Sequence, residues 1–195
     1  MAAFIKQATS TQSPDGTLGG AAVTGIAVTG HGSTTTQSSA ISSASDADEK
    51  SARWFGFENV VGARVAAPRL KLSWATDGSA AAADDGVGGN GESSAQFIIE
   101  YSLNAGSSWN SVVTDDASIS SPPGGGPDTF DNDNSADIAL PLSQDISQVQ
   151  VRVDYLTSAS AAGGPGNSGV ASVVATISGI QVEVTTQDSS PVILW

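Results

Sequence analysis

Four aspartates crowd one short stretch of this chain, and carboxylates at this density carry the clearest chemical potential in the sequence. The stretch 128–137 reads D-T-F-D-N-D-N-S-A-D, and its carboxylates belong to Asp128, Asp131, Asp133 and Asp137. Oxygen-rich loops bind Ca²⁺ through carboxylate and carbonyl oxygens, but this spacing does not match an EF-hand and no Glu follows at the required offset. Two interpretations stay open, a calcium site or an acidic loop that faces solvent. The same two apply to Asp84 and Asp85.

The sequence offers few residues for other kinds of catalysis. A glycosidase holds two carboxylates across a cleft, but Glu100 and Glu183 fall on the polar faces of predicted strands, where carboxylates usually serve solubility. The chain has no cysteine and a single histidine, His31, in a Gly/Ser/Thr-rich segment. These counts exclude thiolate catalysis, Cys-ligated zinc and a His-rich metal site. The sequence therefore predicts a protein that is not an enzyme and has no cofactor, with calcium as the one ion left open.

The stretch 95–113 predicts two antiparallel strands joined by a tight turn. Phe97, Ile99, Tyr101 and Leu103 fall on one face and Gln96, Glu100 and Ser102 on the other, which is the period of a half-buried strand. The turn that follows, S-L-N-A-G-S-S-W, resembles the Asp-box motif S-x-D-x-G-x-[ST]-W of sialidases and of many propeller and adhesion domains. Asn stands where that family has Asp. The residues that carry the resemblance are Ser102, Asn104, Gly106 and Trp109.

The Asp-box resemblance implies a structural turn. The Asn104 side chain is expected to bond the turn backbone, Gly106 to take a positive φ, and Trp109 to pack under the hairpin. In sialidases the motif lies away from the chemistry, and one copy cannot build a propeller, which needs several blades. The arginines that could bind a substrate carboxylate are Arg53, Arg64, Arg69 and Arg152. Sialidase activity is therefore not predicted.

The four tryptophans suggest a different kind of site, because an exposed Trp can stack on a sugar ring. Trp74 and Trp109 are in phase with apolar neighbours and are predicted to be buried. Trp54 and Trp195 are less constrained, so they are the candidates for a sugar or partner contact. Trp195 ends the tail P-V-I-L-W, for which two positions stay open, against the body or inserted into a neighbour.

Alternating apolar residues predict further strands near residues 70–74, 149–155 and 180–184. The predicted core contains Trp74, Phe97, Ile99, Tyr101, Trp109, Val151, Val153, Ile180 and Val182. Only residues 46–54 have helical composition. The Gly/Ser/Ala/Asp-rich stretches 76–94, 114–137 and 158–169 are predicted to be largely loops. Short alternating strands between such loops favour an all-β fold, an antiparallel β-sandwich of jelly-roll type.

Composition divides the chain into three parts. Residues 1–50 are rich in Gly, Ser, Thr and Ala and predict an extended arm, because they cannot close a core of their own. Within the arm, residues 22–29 read A-V-T-G-I-A-V-T and predict a strand. It either belongs to this chain's own sandwich or adds to a neighbour's sheet. Residues 51–186 are the predicted sandwich, and residues 187–195 form a C-terminal tail.

The charge balance limits the partners. The chain has 7 basic and 20 acidic residues, a formal net charge of −13, which argues against nucleic acid and against anionic membranes. The N-terminus lacks the basic start and apolar run of a secretory signal. No stretch approaches the roughly 18 apolar residues of a membrane span. We therefore expect a complete, soluble chain made in the cytoplasm, with assembly into a particle left open.

Residues 50–186 resemble the jelly-roll, galactose-binding-like domains of tailed-phage virion proteins. Three places carry the likeness. The first is F-G-F at residues 55–57, followed by A-R-V and L-K-L. The second is the hairpin F-I-I-E-Y-S with its Gly-Trp turn, and the third is V-Q-V-R-V with the later A-T-I-S-G-I-Q-V-E-V. The Gly/Ser/Thr/Ala-rich arm also suits virion proteins, which use such arms to tie subunits together.

The resemblance implies a non-enzymatic structural component of a virion, a capsid decoration (cement) protein or a fibre component. Its partners would be other virion subunits, with a homo-oligomer expected. The alternative is a carbohydrate-binding module or host-receptor adhesin that binds a glycan through the long loops.

Overall fold

The computed structural model of the chain describes residues 1–12, 26–28, 34–36, 43–83, 90–120, 127–162 and 166–187. Within those residues the chain is almost entirely extended, and a short 3-10 helix, Ile146–Gln148, is the one helical turn. The strands are β1 (Ala2–Gln7), β2 (Ser10–Gln12), β3 (Ile26–Val28), β4 (Thr34–Thr36), β5 (Ser43–Phe55), β6 (Arg69–Ala83), β7 (Asn90–Ser102), β8 (Asn110–Ser120), β9 (Asp128–Ala139), β10 (Gln150–Ala162) and β11 (Ser168–Thr186). The all-β prediction is confirmed.

The strands form two antiparallel sheets. The first has the order β1-β11-β6-β9, with β3 and β4 also paired to β11, and the second has the order β2-β5-β10-β7-β8. Side chains from both sheets meet in one apolar core, so the sandwich prediction is confirmed as well. Of the predicted core residues, Tyr101 is only partly buried against the core and Trp109 lies outside it.

The eight longest strands pair in a nested order, as the two halves of one long folded hairpin would. The innermost pair is β7 with β8, then come β6 with β9 and β5 with β10, and the first strand β1 pairs with the last, β11. Two further pairings, β6 with β11 and β7 with β10, join these pairs into the sheets. Residues far apart in sequence therefore meet in the core.

The core narrows from one end of the sandwich to the other. At the wide end it holds Trp54, Phe57 and Phe97, all nearly inaccessible to solvent. The Phe97 ring meets the Tyr155 ring edge to face, with centroids 5.4 Å apart. At the narrow end the inward residues are small: Ala80, Gly91, Ala159, Ala161, Gly169 and Ala171. The sheets approach each other so closely there that a Cβ on Gly169 would overlap the Glu92 carbonyl oxygen.

Three predicted loops are wrong, because long strands run into them. β6 continues to Ala83 and β7 begins at Asn90, so most of 76–94 is strand. Likewise β8, β9, β10 and β11 occupy most of 114–137 and 158–169. The physical reason is the narrow end. Its inward positions are occupied by Ala, Gly and Ser. Because these residues are small and weakly apolar, they do not produce the hydrophobic alternation from which a strand is predicted.

The N-terminal part is also more strongly paired than expected. Residues 46–54, which have helical composition, lie in β5, and the predicted boundary between residues 50 and 51 falls inside that strand. Ile26–Val28 pairs with β11 of the same chain, so this piece of 22–29 belongs to the chain's own sandwich, and the rest of 22–29 lies outside the described residues. β1, β3 and β4 share one edge of β11.

Candidate functional site

The turn between β7 and β8 is organised by two side chains, Ser102 and Asn104. The Asn104 Oδ1 accepts the Ser108 backbone N–H and the Ser102 hydroxyl, each at 2.9 Å. Its Nδ2 donates to the Ser108 hydroxyl at 2.8 Å. The buried Ser102 Oγ accepts the backbone N–H of Gly106 at 2.8 Å and that of Asn104 at 3.2 Å. The side-chain oxygen of Asn104 thus accepts two hydrogen bonds from within the turn.

The backbone of this turn enters the left-handed region at two successive residues. Ala105 has φ 56° and Gly106 has φ 86°, and only glycine adopts such values without strain. A Cβ on Gly106 would also lie 3.0 Å from the Gln150 Oε1. The Ala105 N–H donates to the Gln148 carbonyl at 2.9 Å, which ties the turn to the segment before β10. The turn is therefore held against the end of the second sheet.

Trp109 does not pack in the core, so the prediction that it is buried there is wrong. Its half-buried indole lies against two guanidiniums, with Arg152 Cζ 4.4 Å and Arg53 Cζ 5.2 Å from the ring centroid. Arg152 also binds Glu100 at 2.5 Å and Asp154 at 3.5 Å. Desolvation raises the pKa of Asp154, and Arg152 partly opposes that shift. The register of β7 against β8 shifts just before the turn, between Ile99 and Glu100, and the alternation in the sequence does not show such a shift.

We expect Asn104→Ala to lower the free energy of unfolding by about 1–2 kcal/mol, because a buried serine hydroxyl and a backbone N–H lose their acceptor. Asn104→Asp keeps the acceptor oxygen and should stay within about 0.5 kcal/mol of the parent. Urea unfolding of the three proteins measures both changes. Equal losses in the two variants would mean that the side-chain oxygen does not organise the turn.

The four candidate calcium ligands lie on strand β9 and not on a loop, so that part of the prediction is wrong. Phe130, Ala136 and Ile138 turn toward the core, and this alternation makes the segment a strand. Asp137 is bound to the Arg69 Nε at 2.6 Å, and this hydrogen bond lowers the pKa of Asp137. Asp128 accepts the Ser118 N–H at 2.9 Å.

Asp131 and Asp133 remain exposed on the same face of β9. Same-face neighbours on a strand are about 7 Å apart, too far for both carboxylates to reach one Ca²⁺ without rotating toward each other. In the part of the chain that the structure describes, no group of three or more His, Cys, Asp or Glu side chains is placed to hold a metal ion. Asp84 and Asp85 lie outside the described residues.

Calcium binding by β9 stays a prediction that a melting experiment decides. We expect thermal melts in excess Ca²⁺ and in chelator to coincide, because a ligand raises apparent stability only if it binds the folded state. A higher melting temperature in Ca²⁺ that Asp131→Asn and Asp133→Asn together remove would contradict this expectation.

The two tryptophans proposed for sugar contact have different outcomes. Trp54 is 1% exposed and cannot stack on a ligand, so this prediction is wrong. Its neighbours Arg53 and Phe55 face the other side of β5. Because Trp54 and Phe55 are adjacent and both aromatic, the sequence does not show which of the two faces the core. Trp195 and the lone histidine, His31, lie outside the described residues.

An exposed apolar surface at one end of the sandwich is the feature that sequence reasoning missed. Val61 is 98% exposed and Ile5 is 62% exposed. We call this surface the apolar end, and its exposed side chains are Met1, Phe4, Ile5, Val61, Val65 and Leu142. Its signal in the sequence was weak, since the six residues come from three separate segments.

Two of these segments, residues 1–5 and residues 61–65, meet at the last four residues of β11, 183–186. Ala2 pairs with Thr186, Ile5 pairs with Glu183, and the Val65 N–H donates to the Thr185 carbonyl at 3.1 Å. Residues 61–65 also lie close to Thr186, because a Cβ on Gly62 would be 3.6 Å from the Thr186 Cβ. Residues 1–5 and 61–65 therefore lie side by side at this end of β11.

Hydrogen bonds hold the loop that carries Leu142. The Arg64 guanidinium donates to the Leu142 carbonyl at 3.3 Å and to the Gln144 carbonyl. The Asn59 Nδ2 donates to the Asp145 carboxylate at 2.6 Å, and bonds from Ser147 and Asn59 lower the pKa of Asp145. These hydrogen bonds thus fix the backbone of the loop that carries the exposed Leu142 side chain.

These features define the chain as an all-β sandwich with a structural turn and an exposed apolar end. Comparison with known proteins adds no relative, since no protein family, no curated protein and no solved structure matches the chain. Among the described residues, no helix is long and apolar enough to cross a membrane.

Proposed function

We propose that this protein is a non-enzymatic structural component of a phage-like virion, a capsid decoration (cement) or fibre subunit. The observation that carries the proposal is the apolar end. Contiguous apolar surface on a folded protein usually marks a contact with another macromolecule. A net charge of −13 opposes nonspecific association of the remaining surface.

The finer fold assignment, a jelly roll, is part of the same proposal. A jelly roll contains eight strands in two sheets and is common among viral capsid and lectin domains. The nested pairing of the eight longest strands, first with last and innermost with each other, supports it. We further propose that the N-terminal arm ties subunits together, as extended segments do when they add strands to a neighbouring sheet.

The proposal is tested by particle association. Particles from cells that carry the gene are separated on a density gradient, and the chain is quantified in each fraction. We expect it to migrate with the particles at a fixed copy number. A Val61→Asp/Val65→Asp variant should stay folded, because both residues are exposed, yet remain at the top of the gradient.

Val174→Asp is the matched control for this experiment. Val174 is exposed on β11, but it lies away from residues 183–186, so the variant should still migrate with particles. A wild-type chain absent from every particle fraction would contradict the proposed function. Equal loss of association in both variants would contradict the role of the apolar end.

One observation favours the alternative, a carbohydrate-binding module or adhesin. The outer face of the second sheet bears an open depression of about 710 Å³. It is lined by hydroxyls, among them Ser94, Ser118 and Ser158, with the hydroxyls of Ser94 and Ser158 2.8 Å apart. Hydroxyl groups suit the polar edges of a glycan. Calorimetric binding of a glycan that Ser158→Trp removes, with an unchanged melt, would favour this alternative.

A further inference from the structure

We propose that two copies of this chain pair through β1, antiparallel and around a twofold axis, so that the first sheets of the two copies become one continuous sheet. In this dimer a second copy covers part of the apolar end, and the pairing rests on the proposed function as a structural subunit. The occupant is a second copy, and the surface is the outer edge of β1 with Phe4 and Ile5 at its centre.

The sheet edges differ in charge, and this difference selects β1. The edge strand β9 carries Asp128, Asp131, Asp133 and Asp137, and the edge strand β8 carries Asp115 and Asp116. Charged residues on an edge prevent strand pairing between molecules, and two such edges on an acidic protein also repel each other. At the fourth edge, β2 has only three residues, Ser10–Gln12.

β1 has fewer of these protections. It reads A-A-F-I-K-Q and contains no carboxylate and no proline. Its single charge, Lys6, is bound to Glu58 at 3.3 Å. Within the described residues, β1 pairs with β11 on one side, and no strand pairs with its other side. An edge of six residues whose one charge is held in an ion pair can serve as a template for another strand.

The occupant is a second copy because β1 is complementary to itself. A twofold contact brings the same surface of both subunits together, so a neutral apolar edge meets a neutral apolar edge. Ile5 pairs with Glu183 on the outer face, whereas Phe4 pairs with the buried Val184. In an antiparallel pair, residues that lie opposite each other share a face. The residue at the twofold axis therefore faces its own equivalent.

Sedimentation velocity over a micromolar to submillimolar series tests the pairing. We expect the intact wild-type chain to dimerise and Ile5→Lys to weaken dimerisation on the order of tenfold or more, because two like charges then meet near the axis. Val174→Lys, exposed on the outer face of β11, is the matched control and should dimerise like wild type. Thermal melts establish that both variants are folded.

Cysteine crosslinking gives an independent measurement, because the chain contains no cysteine. Only residues at the twofold axis of the antiparallel pair come within disulfide reach of their own equivalents, at Cα separations of about 4.4–6.8 Å. One of the two single variants Phe4→Cys and Ile5→Cys should form a covalent dimer on mild oxidation. Val174→Cys should not.

Three outcomes would overturn the inference. One is a wild-type chain that stays monomeric over the whole concentration series. If removal of residues 188–195 then allowed dimerisation, the tail would be the segment that covers β1, and the inference would be overturned in that case too. Another is a dimer that Ile5→Lys leaves intact, and the third is no crosslink in either cysteine variant. A β1 dimer that never migrates with particles would contradict the proposed function alone, whereas a particle-bound chain without this dimer would contradict the pairing alone.

Discussion

Replacing Trp54 by alanine is expected to lower the melting temperature of the protein by roughly 6–20 °C. Trp54 is 1% exposed at the wide end of the core, and truncation of such an aromatic costs about 3–5 kcal/mol. For a chain of this size each kcal/mol corresponds to about 2–4 °C. Calorimetry or circular dichroism measures the shift.

Trp109→Ala is the matched control, because Trp109 lies outside the core and contacts two guanidiniums. Loss of stacking on Arg53 and Arg152 should cost about 1–2 kcal/mol. Trp54→Ala is therefore expected to be the more damaging of the two tryptophan variants. If Trp54→Ala instead melted like wild type, Trp54 would not be a core residue and its candidacy for ligand contact would reopen.

Adding one methyl group at Gly169 should destabilise the protein by about 3 kcal/mol, which is roughly 6–12 °C in melting temperature. A Cβ there would overlap the Glu92 carbonyl oxygen and lie 2.8 Å from the Ser160 carbonyl oxygen. Both atoms belong to backbone of the opposite sheet, so neither moves without separating the sheets. Gly169→Ala tests this in a thermal melt.

Val170→Ala is the control for the narrow end. Val170 is the next residue of β11 and faces solvent, so trimming it should shift the melting temperature by no more than about 2 °C. Similar melts for Gly169→Ala and wild type would mean that the sheets are farther apart than described. A large loss in both variants would point to strand propensity and not to sheet contact.

The fold class and the facing of the central strands can be predicted from the amino-acid sequence alone. Residues such as Leu72, Val151 and Val182 alternate with polar neighbours, and all three are buried. Alternation is a local property of a strand, so it can be read without knowing the partner strands. The Asn104 turn could be predicted for the same reason, since these hydrogen bonds join residues at most four positions apart.

Three features depend on tertiary contacts: where the sheets approach closely, which tryptophan is buried and where exposed apolar side chains lie. At the narrow end the facing backbone, not side-chain hydrophobicity, requires Gly91 and Gly169. The exposed side chains of Ile5 and Val65 lie at one end of the sandwich because both segments border the end of β11, and Arg64 ties the Leu142 backbone to the same end. Such features depend on pairing between residues far apart in the chain, and in this nested order even the first and last strands are neighbours.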